Sequence, residues 1–327
     1  MQYSDIELAG QKVGKAGFGA MGFAGWFGNQ DERESVRALH YALDHGVNFI
    51  DTARAYGESE AVIGRALRSW RGKPPIVATK VESLGARRRW GMPVDVETVF
   101  PRGQVRASAE RSLKELGLDR LDVLQLHLWW PTWGMEGYWM DELQQLKAEG
   151  IARHVGVSIP DHRSDLALGL VGSGLIDTVQ TIVNIFDPLA LDALVPLAAQ
   201  RGVAVIARCV LDEGGLTGAV TASTEFPKGD YRHGYFDDTV PRSVYLEKVE
   251  ALREFVPRYA GSLAAMALKF ASQPEGITTA LTSMHIPEFA EANIQAIDAP
   301  DLPEDVFDLL RTRHRFIKNF NNATHWD

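Results

Sequence analysis

One pattern repeats along this chain and constrains its fold more than any other: an amphipathic helix, a glycine, then a short apolar strand. Residues 31–45 carry Val36, Leu39 and Leu43 at helical spacing, followed by Gly46 and VNFID. Val62, Ile63, Ala66, Leu67 and Trp70 mark a second helical face, followed by Gly72 and PIVATK. RASAERSLKELG leads into LDVLQLH, and MDELQQLKAEG into ARHVGVS. Gly174 precedes IDTVQTI, LDALVPLAAQRG precedes VAVIAR, and SLAAMALKFASQ leads to ITTALTS. Each glycine stands where a helix end calls for a left-handed residue. The strands are Val/Ile/Leu-rich runs of the kind buried on both faces in parallel sheets. With KVGKAGFGA as the first, the strands number eight. Such alternation builds either a doubly wound sheet or a closed barrel. With no linker or low-complexity tract in 327 residues, the expectation is an α/β fold, a single-domain (β/α)8 TIM barrel over 1–327.

Composition narrows the function. A formal net charge of -9 leaves no general basic footprint for nucleic acid. An anionic nucleotide would have to be held locally. A single cysteine, Cys209, excludes an internal disulfide framework and suits a reducing, cytoplasmic compartment. The N-terminus MQYSDIELAGQKVG lacks a secretory pattern. No apolar run approaches the ~20 residues of a membrane span. Asn322-Ala323-Thr324 matches a glycosylation acceptor that would matter only after export.

Two stretches interrupt the rhythm. Residues 212–242, from DEGGLTG through FPKGDYRHGYFDD, are rich in Gly, Asp and aromatics and read as a functional loop over a barrel mouth. The Arg-rich residues Ala86–Met92 form a smaller insertion. Gly17-Phe18-Gly19-Ala20-Met21-Gly22 fits G-x-G-x-x-G letter by letter. That fingerprint must open a helix whose N-terminus cradles a diphosphate. Here it runs into Phe-Ala-Gly-Trp-Phe-Gly with no helical face, and Asp51 comes later than the ~20-residue spacing expects. The motif therefore reads as a glycine-rich turn after the first strand.

The chemical signal is positional, because barrel enzymes gather their chemistry at the C-terminal ends of strands. There stand Asp51, Lys80, His127, Ser158, Gln180 and Arg208, with Tyr56 five residues past Asp51 in DTARAYG. Singly, each has a plain explanation: Asp51 as a cap or ion-pair partner, His127 as a core histidine, Tyr56 as a loop aromatic. Lys80 could also be a Schiff-base lysine or an ion-pair member. Together they permit one specific reaction. A lysine beside a phenol favours the phenolate, and an aspartate keeps the lysine charged and placed. The tyrosine can then give a proton to a carbonyl oxygen while hydride reaches its carbon, with an imidazole orienting the carbonyl. The nine histidines are scattered, without H-E-x-x-H or a Cys/His cluster, so no metal is expected.

Carrying these residues, the blocks GFGAMGF, GVNFIDTARAYGESEAVIGRAL, VATK, LDRLDVLQLH, GIARHVGVS, DTVQTIVNIFD, VIARCVLDEGGLTG and EANIQAID span most of the chain. In this order they resemble the aldo-keto reductase superfamily, in its bacterial short-loop branch. The resemblance implies a catalytic tetrad of Asp51, Tyr56, Lys80 and His127 and a coenzyme, NADPH or NADH, extended across the mouth. It implies that Ser158 and Gln180 hold the carboxamide and that Arg208 lies against the nicotinamide ring, where the family often has an aromatic. Gly19, Ala20, Met21 and Asp51 would line the site. Val210, Leu211 and the loop from Asp212, with Gly214, Gly215 and Thr217, would cover the diphosphate through backbone amides. Ser283, Met284, His285, Phe289 and Asn293 would flank the far end.

The sequence also departs from the family. Ile159 follows Ser158 where the family has Asn, and His285 and Phe289 stand where a Lys or Arg would grip a 2′-phosphate. NADH is therefore expected to be accepted. Trp26, Phe27, Trp129, Trp130, Trp133 and Trp326 suggest aromatic walls suited to aldehydes or to the apolar faces of sugars, with Arg54 as a candidate cation for an acidic substrate. The reading is an NAD(P)H-dependent oxidoreductase acting on a small-molecule aldehyde or ketone, a sugar carbonyl included. Two alternatives stay open: a coenzyme-binding regulatory subunit on the same fold, and a Schiff-base aldolase using Lys80.

Overall fold

The computed structural model describes residues 1–27, 31–84, 95–227, 230, 232–237 and 240–317. An antiparallel hairpin comes first, β1 (Tyr3–Leu8) and β2 (Gln11–Gly14). Eight parallel strands then close in chain order: β3 (Ala16–Gly19), β4 (Phe49–Asp51), β5 (Ile76–Val81), β6 (Leu121–Leu126), β7 (Ala152–Ser158), β8 (Thr178–Ile182), β9 (Ala204–Arg208) and β10 (Ile277–Ser283), which pairs back onto β3. The TIM barrel read from the helix–strand rhythm is the observed fold. Among the described residues, no helix is long and apolar enough to cross a membrane.

Two local expectations were wrong. KVGKAGFGA is not one strand. It breaks at Lys15, leaving Gln11–Gly14 in the hairpin and only Ala16–Gly19 in the barrel. Lys15 fastens that break, its ammonium donating to the Ile277 carbonyl at 2.6 Å. Apolar alternation continues through both halves and hides the bend. Gly46, Gly117, Gly150, Gly174 and Gly202 take left-handed backbone after their helices, but Gly72 does not. The helix Ser59–Ser69 ends instead on an extended Trp70, and a Cβ at Gly72 would fall 2.4 Å from the Trp70 ring. Size, not handedness, selects that glycine.

Strand periodicity places the site. Side chains alternate across a strand, so every second residue faces the barrel interior. One apolar cluster contains Phe49, Ile76, Ala78, Val123, Ala204, Ile206 and Leu281, with Leu8 and Val13 of the hairpin. The hairpin thus plugs the N-terminal end of the barrel. Stepping on by two along the same faces leads from Phe49 to Asp51, from Ala78 to Lys80 and from Ile206 to Arg208. The inner wall therefore changes from apolar to charged at its C-terminal end. Interior space is tight: a Cβ on Gly156 would lie 2.0 Å from the Thr178 hydroxyl and 2.3 Å from its carbonyl oxygen. Gly156→Ala is expected to destabilise by about 3 kcal/mol, the upper part of the overpacking range, read from urea unfolding. A variant within 0.5 kcal/mol of the parent, roughly the scatter of surface substitutions, would show that the β7–β8 contact is looser.

Candidate active site

Tyr56 sits on a loop that the chain locks from several sides. Its amide donates to the Ala53 carbonyl at 3.0 Å, and its own carbonyl accepts from Ser59 N at 2.9 Å. The buried Thr52 and Ser59 hydroxyls bond at 2.8 Å, and Ser59 also donates to the Ala20 carbonyl at 3.0 Å. Glu60, buried on the first turn of the next helix, takes Thr79 Oγ1 at 2.6 Å and pairs with Arg54. Arg54 therefore turns away from the cavity, and its expected role with an acidic substrate is replaced by a structural one.

Lys80 is fully buried and donates to Asp51 Oδ1 at 2.5 Å and to the Thr52 carbonyl at 2.8 Å. Its ammonium lies 5.0 Å from the centroid of the Tyr56 ring, near enough for its charge to act on the phenol. Fully buried and with its ammonium committed to Asp51 and the Thr52 carbonyl, Lys80 offers no free amine to a carbonyl, which disfavours the Schiff-base alternative. The second oxygen of Asp51 accepts from Gln180 Nε2 at 2.8 Å. The rings of Tyr56 and His127 meet edge-on with centroids 5.6 Å apart, and Trp26 closes on Tyr56 at 5.8 Å. The four groups expected to converge do so. The sign of one effect differs from expectation, however. Burial, the largest influence, and Asp51 raise the Tyr56 pKa above its ordinary 10.0, while Lys80 pulls it down only in part. The phenol is held protonated.

Above these groups opens a cavity of about 1160 Å³. Of the expected cofactor and substrate residues, Gly19, Met21, Trp26, Asp51, Tyr56, His127, Trp130, Ser158, Gln180, Arg208, Val210, Leu211, Gly214, Thr217, Ser283, His285, Phe289 and Asn293 line it. Five others do not. Ala20 and Met284 are fully buried in the core, as is Trp129, whose indole points at the Gly134 carbonyl. Asp212 is turned inward, accepting from the hydroxyls of Tyr235 and Tyr245, the latter at 2.7 Å. Gly215 backs onto Tyr245, whose hydroxyl would lie 1.9 Å from a Cβ there. Trp133 packs edge-on against Phe100. Residues 86–92, Asn322 and Trp326 lie outside the described residues.

The G-x-G-x-x-G segment opens only a 3₁₀ turn, Ala20–Ala24. A Cβ on Gly17 would meet Thr279 and Leu281, and one on Gly22 would meet His285 at 2.7 Å, so close packing explains these glycines. The 212–217 loop offers fewer amides than expected. Gly214 N and Leu216 N already bond the Leu211 carbonyl, at 3.0 and 3.1 Å.

Sequence reasoning missed two features. Arg208 is held by Asp161 and by the Ile159 carbonyl at 3.0 Å. Burial opposes its charge and the Asp161 carboxylate more than offsets that, so its pKa rises. Arg232, from the long loop, lies over the rings of Phe27 and Phe226, each 5.1 Å away, and pairs with Asp230 at 2.6 Å. Asp161 stands three residues past a strand end and could have been suspected. Arg232 follows no periodic pattern.

The profile of the aldo/keto reductase family matches residues 15–313. This chain belongs to the aldo/keto reductase family. As such it is a nicotinamide-dependent oxidoreductase. It is 26% identical to the NADH-specific methylglyoxal reductase of Escherichia coli (strain K12), over 90% of this chain and 91% of that protein. It is 26% identical to a probable voltage-gated potassium channel subunit beta of Arabidopsis thaliana, over 91% of this chain and 92% of the other. Among solved structures it resembles the glycerol dehydrogenase of Gluconobacter oxydans, with a TM-score of 0.75 and 26% identity over 94% and 95% of the two chains.

The cavity of this aldo/keto reductase fits a dinucleotide in size and chemistry. It runs from Tyr56 past Ser158, Gln180 and Arg208 to Ser283 and Asn293. The amide nitrogen of Gln180 is taken by Asp51, which leaves its carbonyl oxygen as the hydrogen-bonding group it can offer at the cavity wall. Since Arg54 answers buried Glu60, Arg54→Gln should lower stability by about 3 kcal/mol, the usual result of halving a buried pair. The ratio of kcat/KM between anionic and neutral carbonyl substrates should stay unchanged. A selective loss on anionic substrates would instead place Arg54 in contact with them.

Proposed function

We propose that this protein reduces an aldehyde or ketone, a sugar carbonyl included, to the alcohol with NADH or NADPH, Tyr56 serving as general acid. The observation that carries this reading is the buried Asp51–Lys80 pair set against the Tyr56 phenol beside His127. The coenzyme supplies a hydride when bound; the chain supplies the proton and the geometry. Tyr56 gives its proton to the carbonyl oxygen as the carbon gains hydride, and the adjacent ammonium stabilises the phenolate that remains. His127, facing the same space, orients the carbonyl. Trp26 and Trp130 offer flat apolar walls to the substrate. Ser158 and the Gln180 carbonyl oxygen are the groups best placed for the carboxamide.

Acceptance of NADH is supported by the rim from Ser283 to Asn293, which carries Ser283, His285 and Phe289 but neither Lys nor Arg. Arg232 comes near enough for its charge to act on His285, but Asp230 already answers it. Dissociation constants for both reduced coenzymes should be comparable; an NADPH preference above about a hundredfold, some 2.7 kcal/mol, would mean a dedicated 2′-phosphate anchor.

In Tyr56→Phe, coenzyme binding should survive while turnover drops at least ~100-fold, the effect of losing a positioned acid. Undiminished turnover would refute the assignment. A regulatory coenzyme-binding role would show the opposite pattern, with little turnover on any carbonyl even in the parent. The pH profile offers a separate check. The active form is the protonated phenol, and burial raises its pKa, so reduction should hold on the acid side and fall only above pH 10.0. Lys80→Met removes the main downward pull, and the alkaline limb should move higher still while neutral-pH turnover falls. A limb moving to lower pH would contradict the Lys80 role.

A further inference from the structure

Arg208 is placed unusually for a cavity cation. It ends β9 on the interior face and lines the cavity beside Gln180. Its Nη2 is spent on Asp161 and on the Ile159 carbonyl, and its Nη1 points at Cys209 Sγ, 3.4 Å away. Both Nη groups are thus engaged within the protein and Nε is buried without a partner, which makes the side chain a poor hook for a substrate carboxylate. What it can present to the cavity is the flat face of a pinned guanidinium. Such a face stacks on planar π-systems and attracts electron-rich ones.

We infer that Arg208, set by Asp161, determines how strongly the site distinguishes the reduced coenzyme from the oxidised one. The inference rests on the proposed seat of the nicotinamide on Ser158 and Gln180. Ser158 and Gln180 are paired across β7 and β8, and Ile182, two residues beyond Gln180, pairs with Arg208. A ring on those two groups therefore lies against the guanidinium. The reduced ring is neutral and electron-rich, and the guanidinium attracts it. The oxidised ring is a cation, and the same charge repels it in a site walled off from water. Arg208 also makes its charge felt at the Tyr56 phenol, across the same space. Asp161 works in the opposite sense, so the two members of one ion pair push the discrimination in opposite directions. The consequence is a site that holds the reduced coenzyme and releases the oxidised one, which suits net reduction.

The test is a set of dissociation constants for NADH and NAD+, and for NADPH and NADP+, from quenching of the protein's tryptophan fluorescence. It needs no carbonyl substrate and no turnover. Arg208→Gln should lower the preference for the reduced form on the order of tenfold, the effect of one unit charge at this range. Arg208→Lys, which keeps the charge, should retain most of it. Asp161→Asn should raise the preference. Shifts of opposite sign in Arg208→Gln and Asp161→Asn support the inference, as does an Asp161→Asn increase alone if the Arg208→Gln protein does not fold. Unchanged ratios, or shifts of one sign in both, overturn it. A parent protein that binds neither form would overturn the coenzyme assignment instead, and that failure is distinguishable because it appears before any substitution.

Discussion

A lysine ammonium buried inside a barrel is tolerable only if its charge is answered on the spot, and the Lys80–Asp51 pair at 2.5 Å meets that demand here. Desolvating an ion costs several kcal/mol, which an isolated pair recovers only with good geometry and further hydrogen bonds. Both are present: Thr52 supplies a carbonyl to Lys80, and Gln180 supplies an amide to the second Asp51 oxygen. Three strands are tied together in this way, β4 and β5 through the pair and β8 through Gln180. The apolar layer beneath, from Phe49 to Ile206, keeps water from screening the charges from below. The phenol above them is then the group most exposed to the arrangement. Tyr56 experiences desolvation and the ammonium at once, and desolvation dominates. A protonated phenol results, rather than a standing phenolate.

Much of this was readable from the residues because it follows from periodicity. Strand ends can be counted, and inward faces alternate, so Asp51, Lys80, His127, Ser158, Gln180 and Arg208 were all placed at the mouth by position alone. Even the misleading glycine motif could be rejected from the absence of a helical face after it. What stayed hidden depends on distances that no pattern encodes. Ala20, Trp129 and Met284 adjoin residues that do line the cavity, and only the turn of the backbone decides which neighbour faces inward. Arg54 sits in the catalytic loop, yet Glu60, six residues on, claims it. Asp212 and Gly215 belong to a loop correctly placed over the cavity. The direction of the Asp212 carboxylate and the need for a glycine at 215 are set by Tyr245, which comes from a helix some thirty residues later.

The same division explains where the individuality of this protein resides. The barrel fixes Asp51, Lys80 and the strand end at His127, while the cavity above them is walled largely by segments without regular period. Arg232 illustrates the point. It rests between Phe27, from the turn after β3, and Phe226, from the long loop, and it meets Asp230 in the same loop. Two separate stretches of chain thus converge on one cation at the rim. The buried pair can stay constant while such a rim varies, because among the described residues the Lys80 and Asp51 side chains hydrogen-bond to each other, to the Thr52 carbonyl and to Gln180.

Arg208 links the two levels. It is a strand-end residue, so its position is as fixed as that of Lys80, yet its partner Asp161 comes from the segment after β7. A flat cation pinned at both Nη groups cannot swing away when a charged ring approaches, so its field acts on whatever shares that space. An aromatic at the same place would offer a similar surface with no net charge. Replacing a neutral ring by a guanidinium therefore leaves the shape of the seat almost unchanged and alters its electrostatics. On the proposed seat of the nicotinamide, coenzyme selection by charge state can in this way be tuned at one position that leaves the Lys80–Asp51 contact in place, while its field still reaches the Tyr56 phenol.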